Sequence, residues 1–341
     1  MDRFREALQL VGRGGELSRE QARDVMDRVM AGDVVDVQFG ALFVALHARG
    51  ETIDELAGFA ESMRSHVLGV TAPAGAIDTC GTGGDGADTF NVSTCAAFVA
   101  AGSGAVVAKH GNRAVSSSCG SADVLEALGG HLETSPEGVA RTLGQVGFAF
   151  MFAPSFHPSM RHAARPRRAL GMRTAFNFLG PITNPAGVQR QVVGVSDAEM
   201  AVRIARVLQE LGCERAWVVH GVDGLDELTI ADASVVHDVT PAGIRTLEVT
   251  PEQLGLERAP ITALRGGDAT RNAQILRDVL AGSPGAPRDV VVLNAAAGIV
   301  VAGLADTLAD GAELARRSID DGAALDQLER WIAASVAEAT A

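Results

Sequence analysis

The 341-residue chain predicts an α/β protein: a small helical domain plus a larger α/β domain with a largely parallel sheet. Three observations carry this expectation. Residues 2 to about 66 show helical spacing without strand alternation, short apolar strands then alternate with helical stretches, and the tail beyond 269 reads mainly as helices. The expected division is a helical domain at 1–70 and an α/β domain at 71–341. The segment 158–185, rich in Arg and Pro, breaks the alternation and is expected to rejoin the helical domain.

In order along the chain, Ser18 with Gln21 makes a capping-box signature ahead of Ala22, Val25, Met26 and Val29 at helical spacing. Further helices are expected near 36–48 and 52–65, and Gly69 to Gly75, containing Pro73, is the first plausible linker. Strands are expected at 76–80, 105–108, 148–152, 191–195 and 215–220. Ser135-Pro136 and Thr250-Pro251 place caps before N1 prolines, and Ser196 with Glu199 suggests another capping box. The apolar run Val290 to Ala305, interrupted by Asn294, is shorter than the roughly 20 residues a spanning helix needs and reads as a buried helix.

Bulk properties exclude several classes. With 47% hydrophobic residues and a mean hydropathy of +0.16, the chain can bury a sizeable core. Its net charge of −13 argues against a nucleic-acid surface or an anionic membrane partner, both of which need positive fields. Any phosphate site must therefore be local. The N-terminus alternates charge without an apolar signal core, so a cytoplasmic location is the expectation. Cys80, Cys95, Cys119 and Cys213 are scattered without CxxC spacing, which fits reduced thiols. Cys119 is either a nucleophile beside a candidate loop or a small buried residue.

Two stretches point to chemistry. Gly81-Thr82-Gly83-Gly84-Asp85-Gly86 follows a strand and runs to Asn91-Val92-Ser93-Thr94, with Asn91 and Ser93 as N-cap types before the apolar Ala96 to Ala100. A glycine loop opening into a helix offers free N–H groups and a helix dipole to an anion; a plain tight turn is the alternative. Gly81, Gly83 and Gly86 also satisfy GxGxxG, but Asp85, Asp88 and Thr89 delay the helix and the next strand ends in Lys109-His110, the wrong polarity for a ribose acid. The Walker lysine position holds Ala87. Gly224-Leu225-Asp226-Glu227 supplies adjacent carboxylates that suit Mg²⁺ shared with phosphates, or solvated turn acids; being adjacent, they must converge through loop geometry.

Other segments add to these. Lys109-His110-Gly111-Asn112-Arg113 after a strand should lie beside the glycine loop, because strand carboxyl ends line one crevice. Ser116, Ser117 and Ser118 add hydroxyls, Ser121 and Asp123 can cap the helix Val124 to Leu128, and His110 is an acid/base group or a loop hydrogen-bonder. His157 is a weak ligand candidate. The cluster Arg161, Arg165, Arg167 and Arg168 could hold a carboxylate or form an exposed helix face.

Taken together, the segments starting at Gly81, Phe90, Lys109 and Gly120, then His157-Pro158-Ser159-Met160, Arg173-Thr174-Ala175-Phe176-Asn177, Gly180-Pro181-Ile182-Thr183-Asn184-Pro185 and Gly221 to Glu227, resemble the anthranilate phosphoribosyltransferase family. The match runs from the N-terminal helices to the C-terminus. Ile182, Phe39 and Phe43 are small departures that touch no chemical role.

The resemblance implies a nucleoside phosphorylase/phosphoribosyltransferase-like fold with its active site at the hinge between domains. It implies transfer of a 5-phosphoribosyl group from phosphoribosyl pyrophosphate (PRPP) to anthranilate, with release of pyrophosphate, in tryptophan biosynthesis. By similarity, Gly81, Gly83, Gly84, Asp85, Thr89, Asn91, Ser93, Thr94, Lys109 and Ser121 bind PRPP. Gly81, Asn112 and Arg167 face anthranilate, while Ser93, Asp226 and Glu227 hold Mg²⁺, about two ions per chain, in a homodimer. No acid/base or nucleophile is identified. A pyrimidine-nucleoside phosphorylase and a noncatalytic anion- or nucleic-acid-binding relative are the alternatives.

Overall fold

The computed structural model describes residues 3–114 and 118–339. Helices α1 (Arg3–Gly12), α2 (Arg19–Ala31), α3 (Asp36–Arg49) and α4 (Ile53–Ser65) open the chain. The Ser18 hydroxyl accepts from the Gln21 amide and the Gln21 side chain takes the Ser18 N–H, so the expected capping box starts α2. Thr52 and Glu55 start α4 in the same way. Phe39, Phe43 and Phe59 pack as a ladder of rings with centroids 4.6 and 5.8 Å apart, which links α3 to α4.

The α/β part follows as β1 (Ile77–Gly81), α5 (Val92–Gly102), β2 (Val107–Gly111), α6 (Ser121–Ala127), α7 (Pro136–Val146) and β3 (Phe148–Phe152). A helical excursion of α8 (Ala153–Phe156), α9 (Arg161–Leu170) and α10 (Phe176–Leu179) precedes β4 (Arg190–Gly194), α11 (Ala198–Glu210) and β5 (Arg215–Gly221). Next come β6 (Ser234–Thr240) and β7 (Gly243–Val249), then α12 (Ala269–Leu280), α13 (Ala286–Ala302), α14 (Leu308–Asp320) and α15 (Ala323–Ala339).

Among the described residues these strands form one sheet in the order β3-β2-β1-β4-β5-β6-β7. Pairings from β3 to β5 are parallel, and the β5-β6-β7 end is antiparallel. All five expected strands are present, but the β6-β7 hairpin was not anticipated. Its edge strand β7 carries Arg245 and Glu248 and is half exposed, so it lacks the continuous apolar run that marks a buried parallel strand. The apolar run read from Val290 falls in α13, where Val290 to Val301 are buried against α5 and α14, while Leu304 beyond the helix end is exposed.

One hydrophobic cluster joins α5, α13 and α15 to one face of the sheet. A second joins α2, α3 and α4 to α11, β4, β5 and the 158–185 excursion through Ala163, Phe176, Phe178 and Ile182. The excursion thus packs on the N-terminal helices, with the Phe176 ring 4.8 Å from that of Phe43.

Several local expectations are corrected. Helix α11 is capped by Asp197, whose carboxylate accepts from the Met200 N–H, and not by a Ser196–Glu199 box. Asn91 precedes α5 without capping it by side chain. Lys109, His110 and Gly111 lie inside β2 and not after it. Helix α6 already begins at Ser121; Asp123 closes back onto the Gly120 and Ala114 N–H groups, whereas the Ser121 hydroxyl donates to the Asn112 carbonyl. Ser116 and Ser117 lie outside the described residues.

Candidate active site

The chain reverses its direction of sheet growth between β1 and β4, which are neighbours although β2 and β3 intervene in sequence. In open parallel sheets the crevice beyond the carboxyl ends at such a switch point is where ligands bind. Here β1 delivers the glycine loop, β2 the Asn112-Arg113 turn, β4 Ser196, and β5 the loop carrying Asp223 to Glu227. Four segments distant in sequence therefore meet at one edge of the sheet.

Gly81 and Gly194 are register partners at the ends of β1 and β4. A Cβ at Gly194 would overlap the Asp226 carbonyl oxygen, and one at Gly81 would overlap the Asp226 carboxylate. The two bare backbones form the slot that admits the Asp226-Glu227 loop. In that slot Asp226 accepts the Gly83 N–H at 2.6 Å, and Glu227 accepts the Ser93 N–H at 3.1 Å at the start of α5. The adjacent acids thus each accept from a different backbone neighbour. Behind them Asn294 of α13 pins Leu228, donating to its carbonyl at 2.9 Å and accepting its N–H at 3.0 Å. What read as an interruption of an apolar helix is the staple of the carboxylate loop.

Burial, reinforced by Asp85, pushes the Asp226 carboxyl up, and burial together with Asp226 pushes that of Glu227 up. Crowded, desolvated carboxylates of this kind are relieved by a bound cation. Among the described residues no group of three or more His, Cys, Asp or Glu side chains could hold an ion by itself. The donor set of two carboxylates and the Ser93 hydroxyl therefore fits a hard ion such as Mg²⁺ that completes its shell with water and substrate phosphates.

Lys109 is buried, and its Nζ points under the glycine loop, donating to the Thr79 carbonyl and lying 3.5 Å from Ser93 Oγ. Asp78, buried next to it on β1, accepts from the His110 N–H and from Asn184 of the Gly180 to Pro185 segment, at 3.2 and 2.7 Å. Thr94 is buried in the first turn of α5, and Thr89 bridges to Arg265. The Asn91 amide is engaged at both ends: it donates to the Cys119 carbonyl at 3.1 Å and accepts from Asn272 of α12 at 3.0 Å. Asn272 and the preceding Gly266-Gly267 turn were not singled out in the sequence. The only signal there is a Gly-Gly-Asp turn before a helix, which any N-terminus can show.

Asp85 accepts the Ala87 N–H at 3.2 Å, while Asn112 is exposed. Arg167 is half-buried, with its guanidinium 5.1 Å from the Phe176 ring centre and no ion pair among the described residues; burial lowers its pKa. Arg165 instead pairs with Asp36 at 3.1 Å on the surface. The Cys119 thiol is buried and pushed up to about 11, so it stays protonated and the nucleophile reading falls. All four cysteines are free. His110 and His157 face each other with ring centres 5.0 Å apart, and burial drives them down to about 3 and about 4, so both are neutral near pH 7.

Comparison with known proteins agrees with this arrangement. Residues 5–67 match the helical bundle domain of a glycosyl transferase family, and residues 74–325 match its a/b domain. Anthranilate phosphoribosyltransferase of Moorella thermoacetica is 53% identical over 321 residues, covering 94% of this chain and 95% of its own. That of Azorhizobium caulinodans is 50% identical, covering 97% of each chain. The crystal structure of the Thermus thermophilus enzyme superposes with a TM-score of 0.93 at 44% identity, over 98% of this chain and 100% of the other. The Saccharomyces cerevisiae enzyme in complex with PRPP and Mg gives 0.90 at 27% identity, over 98% of each chain. With relatives of about 50% identity and a superposable structure matching over nearly the full length of the chain, and with both family domains matched, the chain belongs to the anthranilate phosphoribosyltransferase family.

Proposed function

We infer that this protein transfers the 5-phosphoribosyl group of PRPP to the amine of anthranilate, forming N-(5-phosphoribosyl)anthranilate and pyrophosphate in tryptophan biosynthesis. The observation that carries the reading is the meeting of the glycine loop, the start of α5 and the Asp226-Glu227 pair at the switch point of the sheet. All the relatives described above are transferases of this kind, which favours this reaction over nucleoside phosphorolysis or noncatalytic anion binding.

Breaking the bond to the anomeric carbon leaves an electron-poor sugar and a highly charged leaving group, so fixed donors aimed at pyrophosphate supply most of the stabilisation. We assign Gly81, Gly83, Gly84, Asp85, Thr89, Asn91, Ser93, Thr94, Lys109 and Ser121 to PRPP. Some of these act by holding others: Lys109 supports Thr79 and Ser93, and Asn91 ties the start of α5 to Cys119 and Asn272. Mg²⁺, when held by Ser93, Asp226 and Glu227, would offset charge on the departing pyrophosphate. Gly81, Asn112 and Arg167 are assigned to anthranilate, whose carboxylate suits the unpaired Arg167 fork. Anthranilate's amine is neutral near pH 7 and attacks without a protein nucleophile.

We further propose two ions per chain, a cytoplasmic homodimer, and a helical unit formed by 1–70 with 158–185. The exposed Leu10, Val35 and Val37 on that unit support a subunit contact. Among the described residues no helix is long and apolar enough to cross a membrane. The decisive experiment replaces both acids, Asp226→Asn with Glu227→Gln. Turnover should be almost lost while the fold is kept; near-normal activity at limiting Mg²⁺ would sink the assignment.

A further inference from the structure

The Arg173 to Asn177 segment carries a side chain that the site as described does not use. Arg173 lies with its guanidinium 5.0 Å from the Phe178 ring centre, at the end of the excursion that packs on the N-terminal helices. Its Nη1 donates to the Gly84 carbonyl and to Ser196 Oγ, each at 3.3 Å, and the Ser196 hydroxyl in turn donates to the Gly83 carbonyl at 3.3 Å. One arginine and one serine thus hold two consecutive carbonyls of the glycine loop. Gly83 and Gly84 adopt φ of +66° and +81°, a conformation that side chains disfavour, and a Cβ on Gly84 would also collide with Arg173.

A trans peptide unit is planar, with its carbonyl and its N–H pointing in opposite directions. Fixing the Gly83 and Gly84 carbonyls toward Arg173 and Ser196 therefore turns the N–H groups of Gly84 and Asp85 the other way. Among the described residues neither of those N–H groups has a protein acceptor. Nε and Nη2 of Arg173 are themselves buried without partners. Donor atoms buried for stability alone would be filled.

We propose that Arg173, acting with Ser196, is a positioning residue for the donor substrate: it holds the glycine-loop carbonyls so that the Gly84 and Asp85 N–H groups present themselves to a phosphate of PRPP. The same contact links the loop to the helical excursion, so the loop is set by both parts of the fold. The proposal rests on the glycine loop being the PRPP site.

Steady-state kinetics of Arg173→Ala, Arg173→Lys, Ser196→Ala and the loop control Asp85→Ala test it, with thermal unfolding measured alongside. Arg173→Ala should raise the KM for PRPP about ten- to hundredfold, the range of a lost charge-assisted hydrogen bond, and leave the KM for anthranilate and the unfolding midpoint nearly unchanged. Added guanidinium should recover part of the loss. Arg173→Lys, which can still reach one carbonyl, should fall between, and Ser196→Ala should cost only a few-fold. If Asp85→Ala weakens PRPP use and neither Arg173 variant does, the positioning role is wrong while the loop assignment stands. If Asp85→Ala has no effect either, the loop assignment fails and takes the proposal with it. A parallel rise in both KM values with a lowered unfolding midpoint would make Arg173 a structural residue and overturn the proposal.

Discussion

Arg167→Ala should separate the proposed acceptor site from the proposed donor site. In the structure the Arg167 guanidinium rests against the Phe176 ring, half-buried, with no ion pair among the described residues, and its burial disfavours the charged form. A cation held in this way has already lost part of its hydration and gains more than an exposed one from meeting a carboxylate. Removing it should cost about 1.5–3 kcal/mol of anthranilate binding, or about one to two decades in affinity. The lost guanidinium–ring contact should lower stability by about 0.5–1 kcal/mol, small enough to leave the fold intact. Calorimetry should measure each substrate alone and then with its partner present, because ordered binding could conceal the effect. Arg167→Lys should recover little, since an ammonium cannot reproduce the planar fork. Loss of PRPP affinity with normal anthranilate affinity would place Arg167 in the donor site and refute the division of labour.

Two further outcomes follow from packing and from buried charge. Gly194→Ala must displace the Asp226 loop, because the new methyl group would occupy the Asp226 carbonyl position; we expect a stability loss of about 1–3 kcal/mol and a fall in kcat/KM of about a hundredfold, read by urea unfolding and initial rates. Unchanged kinetics would show that the slot is not needed. His110 and His157 have folded pKa values of about 3 and about 4, below the 6.5 of a free histidine, so the stability they confer is complete above about pH 6.5 and is lost as pH falls. Between pH 6.5 and 5 the pair should withdraw roughly 3 kcal/mol. The His110→Gln, His157→Gln double variant should therefore show a flatter urea-unfolding profile against pH, and a slope equal to that of the parent would contradict the burial argument.

Much of the site was legible because its pieces are local. A glycine loop after an apolar strand, a capping box at Ser18 and Gln21, and an acidic pair after Asp223-Gly224 each write their hydrogen bonding into neighbouring residues. The five parallel strands were visible as apolar runs because both their faces are covered. The β6-β7 hairpin was not, since a half-exposed edge strand with charged residues has the composition of a loop.

What the sequence determined, then, was which segments carry the groups proposed here to meet phosphate, metal and carboxylate, and the family to which their order belongs. Only the tertiary structure decided how those groups meet. Asp226 reaches Gly83 across 143 residues because β1 and β4 are neighbours and both end in glycine. Asn294 staples Leu228 from inside an apolar helix, and Arg173 and Ser196 hold the glycine loop from two different segments. Such contacts have no characteristic spacing in sequence. They arise from strand order and from the space left by a missing Cβ, and both exist only once the sheet has assembled.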